Sequence, residues 1–207
     1  MNLDFITNSE LLYGKIIEFS GAISFKTSCM LSMIKNILTN DENAIVLYID
    51  ADNHMCLKYL KDHDIDSGRC IISTCNDPDI ILSIVSELKN NYSDHIVIVI
   101  DSISNLKFNS PFKDLSKFII RLSRLICNTQ IVVYAVNQFR YNNNQKRFVS
   151  YCSKCFDLYS SLRFIIINKN ENELYLKIQK NKINNQTGYL VVNIGTSNEY
   201  SISENRE

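Results

Sequence analysis

Lys26 and Thr27 close the stretch SGAISFKT, residues 20–27, which leaves one apolar run and opens a helical pattern. A lysine followed by a hydroxyl residue at such a junction has the chemistry of a phosphate loop. The ammonium neutralises phosphate, the hydroxyl ligates magnesium, and backbone N–H groups of a glycine-rich turn hold the remaining oxygens. Lys26 and Thr27 have the required type and order, but the glycines do not follow. Counting back from Lys26 puts Ser20 and Phe25 where the pattern G-x-x-x-x-G-K-[ST] has glycine; starting from Gly21 leaves the loop one residue short. Phe25 sets a bulky side chain where backbone must approach phosphate closely. Ser20, Gly21, Ser24, Lys26 and Thr27 are the candidate nucleotide contacts. The same residues also fit an ordinary strand–turn–helix junction with a solvated lysine.

Three further groups could act with them. Asp101 ends the run IVIVI, where a carboxylate can support magnesium through its water shell, or can merely cap the next turn. Thr27 and Asp101 are therefore the candidate metal residues. Asn137 and Gln138 end the run QIVVYAV, where an amide can sense a terminal phosphate and relay its presence onward. Beyond them, FRYNNNQKRFVSYCSK (139–154) carries Arg140, Lys146, Arg147 and Lys154 without an acid, interleaved with Phe139, Tyr141, Phe148 and Tyr151. Cations neutralise phosphates while aromatic rings stack on bases, a pairing that single-strand binding surfaces use. Arg140, Tyr141, Lys146, Arg147, Phe148 and Lys154 are the candidate DNA contacts, and a solvated mobile loop is the alternative.

These groups need a scaffold that brings strand ends together. Strand-like runs at Lys15–Phe19, Ala44–Ile49, Cys70–Ser73, His95–Ile100 and Gln130–Val136 alternate with helical patterns at Lys26–Leu38, Asn53–Asp62, Asp77–Leu88 and Leu115–Ile126. That alternation predicts an α/β fold, a mainly parallel central sheet with helices on both faces. Arg163–Ile167, Glu173–Gln179 and Tyr189–Ile194 follow without intervening helices and predict an antiparallel C-terminal strand extension. In such sheets ligands sit at the carboxyl ends of the strands, where the candidate residues fall. The whole of 1–207 reads as a single core domain, with 1–13 a short N-terminal segment and 196–207 a flexible tail.

Composition narrows the classes. Lys+Arg and Asp+Glu both total 22, so nucleic-acid binding must come from a local patch rather than a global field. The 45% hydrophobic content supports one sizeable core. No apolar run reaches the roughly 18–20 residues of a membrane span, and no signal peptide is expected, so no membrane partner is predicted. Seven cysteines, among them Cys29, Cys56, Cys70, Cys75 and Cys127 in apolar patterns, read as reduced core thiols of a cytoplasmic protein. Cys152 and Cys155 form a CxxC pair without a second pair of ligands, so no structural metal is expected.

Taken in order, these residues resemble the bacterial RecA family of DNA strand-exchange ATPases. KIIEFSGAISFKTS is similar to its strand into the phosphate loop, IVLYIDAD to its second strand, and YLKDHDIDSGRCIIS to its next helix and strand. IVIVIDSISNL resembles its Walker B strand and VVYAVNQFR the strand ending in Asn-Gln. DLYSSLRFIII resembles the strand after its second DNA loop, and KIQKNKI the Lys-Asn-Lys segment beyond. The resemblance runs from about residue 14 to 195 and implies a RecA-like P-loop fold. It further implies that Lys26, Thr27 and Asp101 serve ATP and magnesium, and that Asp52 stands at the position of a catalytic Glu. Gln138 would couple phosphate to a DNA loop at 139–155, and Lys180 and Lys182 would reach a neighbouring protomer's nucleotide. The shorter carboxylate of Asp52 and the bulky Phe25 predict weak ATP binding and slow or absent hydrolysis. The family's docking elements before the first strand are nearly absent, its C-terminal duplex-binding domain is missing, and its first DNA loop is shortened. The expected function is a recombination or DNA-repair protein that binds DNA, single-stranded by preference, alongside a recombinase or paralogue partner. The alternative is a non-catalytic adaptor or regulator acting through a protein partner.

Overall fold

Alternation along the central strands sorts their side chains onto two faces, and each face carries its own helices. The computed structural model describes residues 9–21, 23–91, 95–142, 146–170, 173–183, 187–193 and 202–205. A short helix α1 (Ser9–Leu12) leads into β1 (Ile16–Gly21), α2 (Ile23–Asn40), β2 (Ile45–Asp50), α3 (Leu57–Asp62) and β3 (Cys70–Ser73). There follow α4 (Pro78–Asn91), β4 (Ile96–Asp101), a single 3-10 turn (Ile103–Asn105), α5 (Pro111–Ile126), β5 (Ile131–Asn142) and β6 (Arg147–Ser150). Helix α6 (Ser153–Tyr159) precedes β7 (Leu162–Asn170), β8 (Glu173–Asn181), β9 (Gly188–Asn193) and β10 (Ile202–Asn205).

The sheet runs in the order β10-β9-β8-β7-β1-β5-β4-β2-β3. Every pairing from β7 through β3 is parallel, while β8, β9 and β10 add an antiparallel extension on the β7 edge. This is the α/β architecture with a mainly parallel sheet that the sequence pattern predicts. Val97 and Val99 of β4 face a core with Met30, Ile34 and Ile37 of α2, whereas Ile96, Ile98 and Ile100 face Ile81, Leu82, Phe118 and Leu122 of α4 and α5. Strands buried on both faces explain why β2, β4 and β5 read as continuous apolar runs. Among the described residues no helix is long and apolar enough to cross a membrane.

Local signals fix the helix starts. Asp77 Oδ1 accepts the Asp79 N–H at 2.8 Å, capping α4 with Pro78 at its first position. Helix α5 begins at Pro111, a turn before the expected Leu115, because Asp114 Oδ2 accepts the Ser110 N–H at 2.8 Å. Helix α3 starts at Leu57 rather than Asn53: Asn53 has φ 57° and Asp50 Oδ2 accepts the Met55 N–H at 2.7 Å, so the segment between is a turn. The expected tail at 196–207 contains the strand Ile202–Asn205 on the edge of β9; its remaining residues lie outside the described ones, as do residues 1–8 of the N-terminal segment. All seven cysteines are free, but Cys56 and Cys127 are exposed at helix ends, not core thiols.

His95, just before β4, is buried with Nδ1 donating to Asp41 Oδ2 at 2.8 Å and its ring 5.3 Å from that of Tyr13. Its Nε2 has no partner among the described residues. Burial lowers the His95 pKa below its ordinary 6.5, against the opposing pull of Asp41. The unfolded chain thus takes up a proton that the folded chain resists. Stability should be complete above about pH 6.5 and decline as the pH falls through the depressed folded value. Urea unfolding across that range should show the decline in the native chain and a flattened profile in His95→Gln; equal profiles would refute it.

Candidate functional site

Helix α2 starts almost directly off β1. Gly21 is the last residue of the strand and Ile23 the first of the helix, so one residue joins them. A phosphate loop needs a run of non-helical residues whose N–H groups curve around the ligand, and this junction has no such run. Gly21 meets a different need: a Cβ there would lie 2.8 Å from Ile166 Cβ and 2.9 Å from Ile166 O, so the glycine lets β1 and β7 approach. Ser20 is buried with Oγ donating to Phe164 O at 3.2 Å, turned into the sheet. Ser24 and Phe25 lie in the first turn of α2, and their side chains are outside the described set.

Lys26 is 3% exposed, with Nζ donating to the backbone oxygen of Asn137 at 3.2 Å. Burial lowers its pKa, against the attraction of Asp101 and Asp52. Thr27 Oγ1 donates to Asp101 Oδ2 at 3.1 Å, and Tyr48 OH donates to that same oxygen at 2.5 Å. Burial raises the Asp101 carboxyl despite these hydrogen bonds. The carboxylate oxygen that would face a hydrated magnesium thus already holds two donors from its own chain. Tyr48 was hidden in the run AIVLYI; its one signal is that a buried tyrosine hydroxyl requires a partner. Among the described residues, no three His, Cys, Asp or Glu side chains gather as a metal-binding group.

Beside this cluster, Asp52 Oδ1 accepts from Ser102 N at 3.3 Å and from Asn105 Nδ2 at 2.5 Å. Gln138 Nε2 reaches Ser102 Oγ at 3.4 Å, and Ser102 Oγ in turn donates to Asp52. The strand ends therefore do bring Lys26, Thr27, Asp101, Asp52 and Gln138 into one region, where each makes at least one hydrogen bond within the chain.

Residues 139–155, expected as a loop, are mostly ordered structure. β5 runs past the sheet to Asn142 and β6 returns antiparallel, with Phe139 opposite Ser150 and Tyr141 opposite Phe148. Tyr141 and Phe148, read from the sequence as rings that could stack on bases, pair across the strands, which is how rings stabilise a ribbon. Tyr141 and Phe148 meet edge to face at 5.3 Å and are 54% and 67% exposed. Arg140, paired with Val149, lies on the opposite face with its guanidinium 4.1 Å over the Tyr151 ring. Lys146 and Lys154 are exposed; residues 143–145 and the Arg147 side chain lie outside the described set.

Two buried charges, unnoticed in the sequence, sit under the hairpin. Arg163 and Glu18 are both fully buried and hydrogen-bonded to each other through Nε and Oε2. Lys180 and Lys182 lie at the far end of α6. Lys180 Nζ donates to the carbonyls of Phe156, Asp157 and Ser160, and Lys182 Nζ to that of Leu158. Both thus satisfy the carbonyl end of a helix in their own chain; burial, then the charge of Lys182, brings the Lys180 pKa down to about 8. Burial also pushes the Cys152 thiol up to about 11 and raises that of Cys155, which leaves the CxxC pair poor in thiolate.

No protein-family model matches this chain, and no curated protein matches it.

Lys26 holds structure in this arrangement. Lys26→Ala would leave the Asn137 carbonyl without its buried donor and Asp101 without its nearest cation. It should lower the unfolding free energy by about 2 kcal/mol in chemical denaturation. An unchanged midpoint would mean that Lys26 is free for another task.

Proposed function

We propose that this chain is a RecA-like protein of recombination or DNA repair that binds single-stranded DNA through the β5–β6 hairpin and has lost nucleotide turnover. The observation that carries the reading is the hairpin itself. Tyr141 and Phe148 stand exposed as a cross-strand pair, with Arg140 and Lys146 on the same ribbon and Lys154 just beyond it. Rings on a two-stranded ribbon offer flat faces to bases, and cations on the same ribbon can meet phosphates. The ribbon extends from β5, whose Asn137 and Gln138 touch the cluster around Lys26 and Ser102. The resemblance to RecA-family strand ends gives the same order of parts.

The loss of turnover is supported by the one-residue junction before α2 and by the internal partners of Lys26, Thr27, Asp101 and Asp52. ATP and magnesium would have to displace these contacts to bind. A second reading, a non-catalytic adaptor that works through a protein partner, is favoured by that same closed cluster.

Fluorescence anisotropy with labelled oligonucleotides separates the two. Single-stranded DNA should bind at low salt, and alanine at Arg140 and Lys146 should each flatten the log–log salt slope by roughly 0.7. Alanine at Tyr141 or Phe148 should cost about 1–3 kcal/mol of affinity and leave the slope unchanged, because stacking releases no counterions. A fluorescent ATP analogue should bind weakly or not at all. Wild-type protein without DNA affinity at low salt would overturn the DNA reading and leave the adaptor.

A further inference from the structure

Proteins that couple a DNA-binding element to nucleotide need that element to have two states. The hairpin here rests on a buried ion pair. Glu18 on β1 and Arg163 on β7 are neighbours across the parallel β1–β7 pairing, both fully buried. Arg163 spends its guanidinium on four partners. Nε donates to Glu18 and Nη1 to Asp157 of α6, while Nη2 donates to Ser150 Oγ at 2.7 Å and to Ser153 Oγ at 3.2 Å. The returning arm of the hairpin and the first turn of α6 thus hang from one side chain.

The outgoing arm reaches the same pair through Asn137. Its Nδ2 donates to Glu18 Oε1 at 2.6 Å and to Tyr151 O at 2.8 Å, and its Oδ1 accepts the Gln138 N–H at 2.8 Å. Its backbone oxygen accepts from Lys26. The Tyr151 N–H closes the base of the ribbon on Gln138 O at 2.8 Å. Asn137, which with Gln138 ends the strand where an amide could sense a phosphate, has its side-chain donors engaged and cannot turn to a ligand without breaking bonds in a buried, low-dielectric site.

We infer that the buried Glu18–Arg163 pair, acting through Asn137, Ser150 and Ser153, sets the hairpin in a single shape, so that its hold on single-stranded DNA is constitutive and insensitive to nucleotide. The regulation inferred here rests on the proposed function, whereas the setting of the hairpin does not. Glu18 and Arg163 are positioning residues: they lie under the ribbon and touch no ligand. A ribbon set in advance avoids the ordering cost that a mobile loop meets on binding.

The test removes the arms of the hub and leaves the ion pair intact, because Arg163→Met would strand a buried carboxylate and endanger folding. In Ser150→Ala/Ser153→Ala, amide hydrogen exchange across residues 147–151 should quicken roughly tenfold while β1 and β4 remain protected. Affinity for a labelled single-stranded oligonucleotide should fall roughly tenfold with an unchanged salt slope, and Ser150→Thr alone, which keeps a hydroxyl, should stay near wild type. Adding a magnesium–ATP analogue to the wild type should alter neither readout. Unchanged exchange in the double variant, lost protection with full DNA affinity, or wild-type exchange or affinity that shifts with the analogue would each overturn the inference. If the wild type binds no DNA, the functional reading falls, and the exchange measurements still decide whether the hub sets the hairpin.

Discussion

A carboxylate and a guanidinium with no access to water meet at the middle of the sheet, and the polar contacts beneath the hairpin are arranged around them. Glu18 and Arg163 sit on adjacent parallel strands. Burial alone drives the Glu18 carboxyl upward, while Arg163 and Asn137 pull it back. Such a pair adds little net stability over an apolar pair of similar size, but removing one member costs about 3–5 kcal/mol. What it supplies is direction. Each remaining donor and acceptor must find a partner, and those partners are Asn137 on β5 and Ser150, Ser153 and Asp157 on the segment between β5 and β7. The path of the chain over that face follows from satisfying one buried charge pair.

The opposite side of β1 shows the same rule applied to a site that once-familiar motif residues would occupy. With one residue between β1 and α2, the helix begins against the strand end and Lys26 falls within reach of the Asn137 carbonyl. Tyr48 reaches Asp101 from the adjacent strand β2, and Thr27 shares the same oxygen. The lowered Lys26 and raised Asp101 pKa values both weaken the charged forms, as expected where burial outweighs neighbouring charge. Lys26, Thr27 and Asp101 each hold a hydrogen bond within the chain here.

Much of the fold was legible because burial on both faces writes itself as unbroken apolar runs. Cys70–Ser73 is found residue for residue, and β2, β4 and β5 lie within a residue of their expected starts. The convergence of Lys26, Thr27, Asp101 and Gln138 was legible too, since parallel strands place their carboxyl ends together. What the sequence concealed were interactions between distant residues. Glu18 in KIIEF and Arg163 in SLRFIII look like ordinary outward-facing positions, yet a charge inside an apolar strand run is a signal in its own right: it is buried only when paired. Tyr48 gave the same kind of signal. The resemblance implied a DNA loop at 139–155, and the alternating rings at Phe139 and Tyr141 that continue β5 into a ribbon were not read as strand. Lys180 and Lys182 read as interface residues because nothing local shows that the carbonyl end of α6 lies beneath them.

Asn137 ties the two sides together. Its backbone oxygen holds the lysine of the closed cluster and its side chain holds Glu18 and the base of the hairpin. In a chain where Lys26 left for a phosphate, that carbonyl would lose its donor and the strand end could shift, carrying the change into the ribbon. Here Lys26 is buried and its ammonium is disfavoured by desolvation. Asn137 on β5 thus joins the cluster around Lys26 to the buried ion pair. A chain of zero formal net charge has no long-range field to gather DNA, so any grip must come from a few cations held in fixed register with the rings beside them. A rigid ribbon meets that requirement better than a mobile loop, whose cations would have to be ordered anew at each encounter.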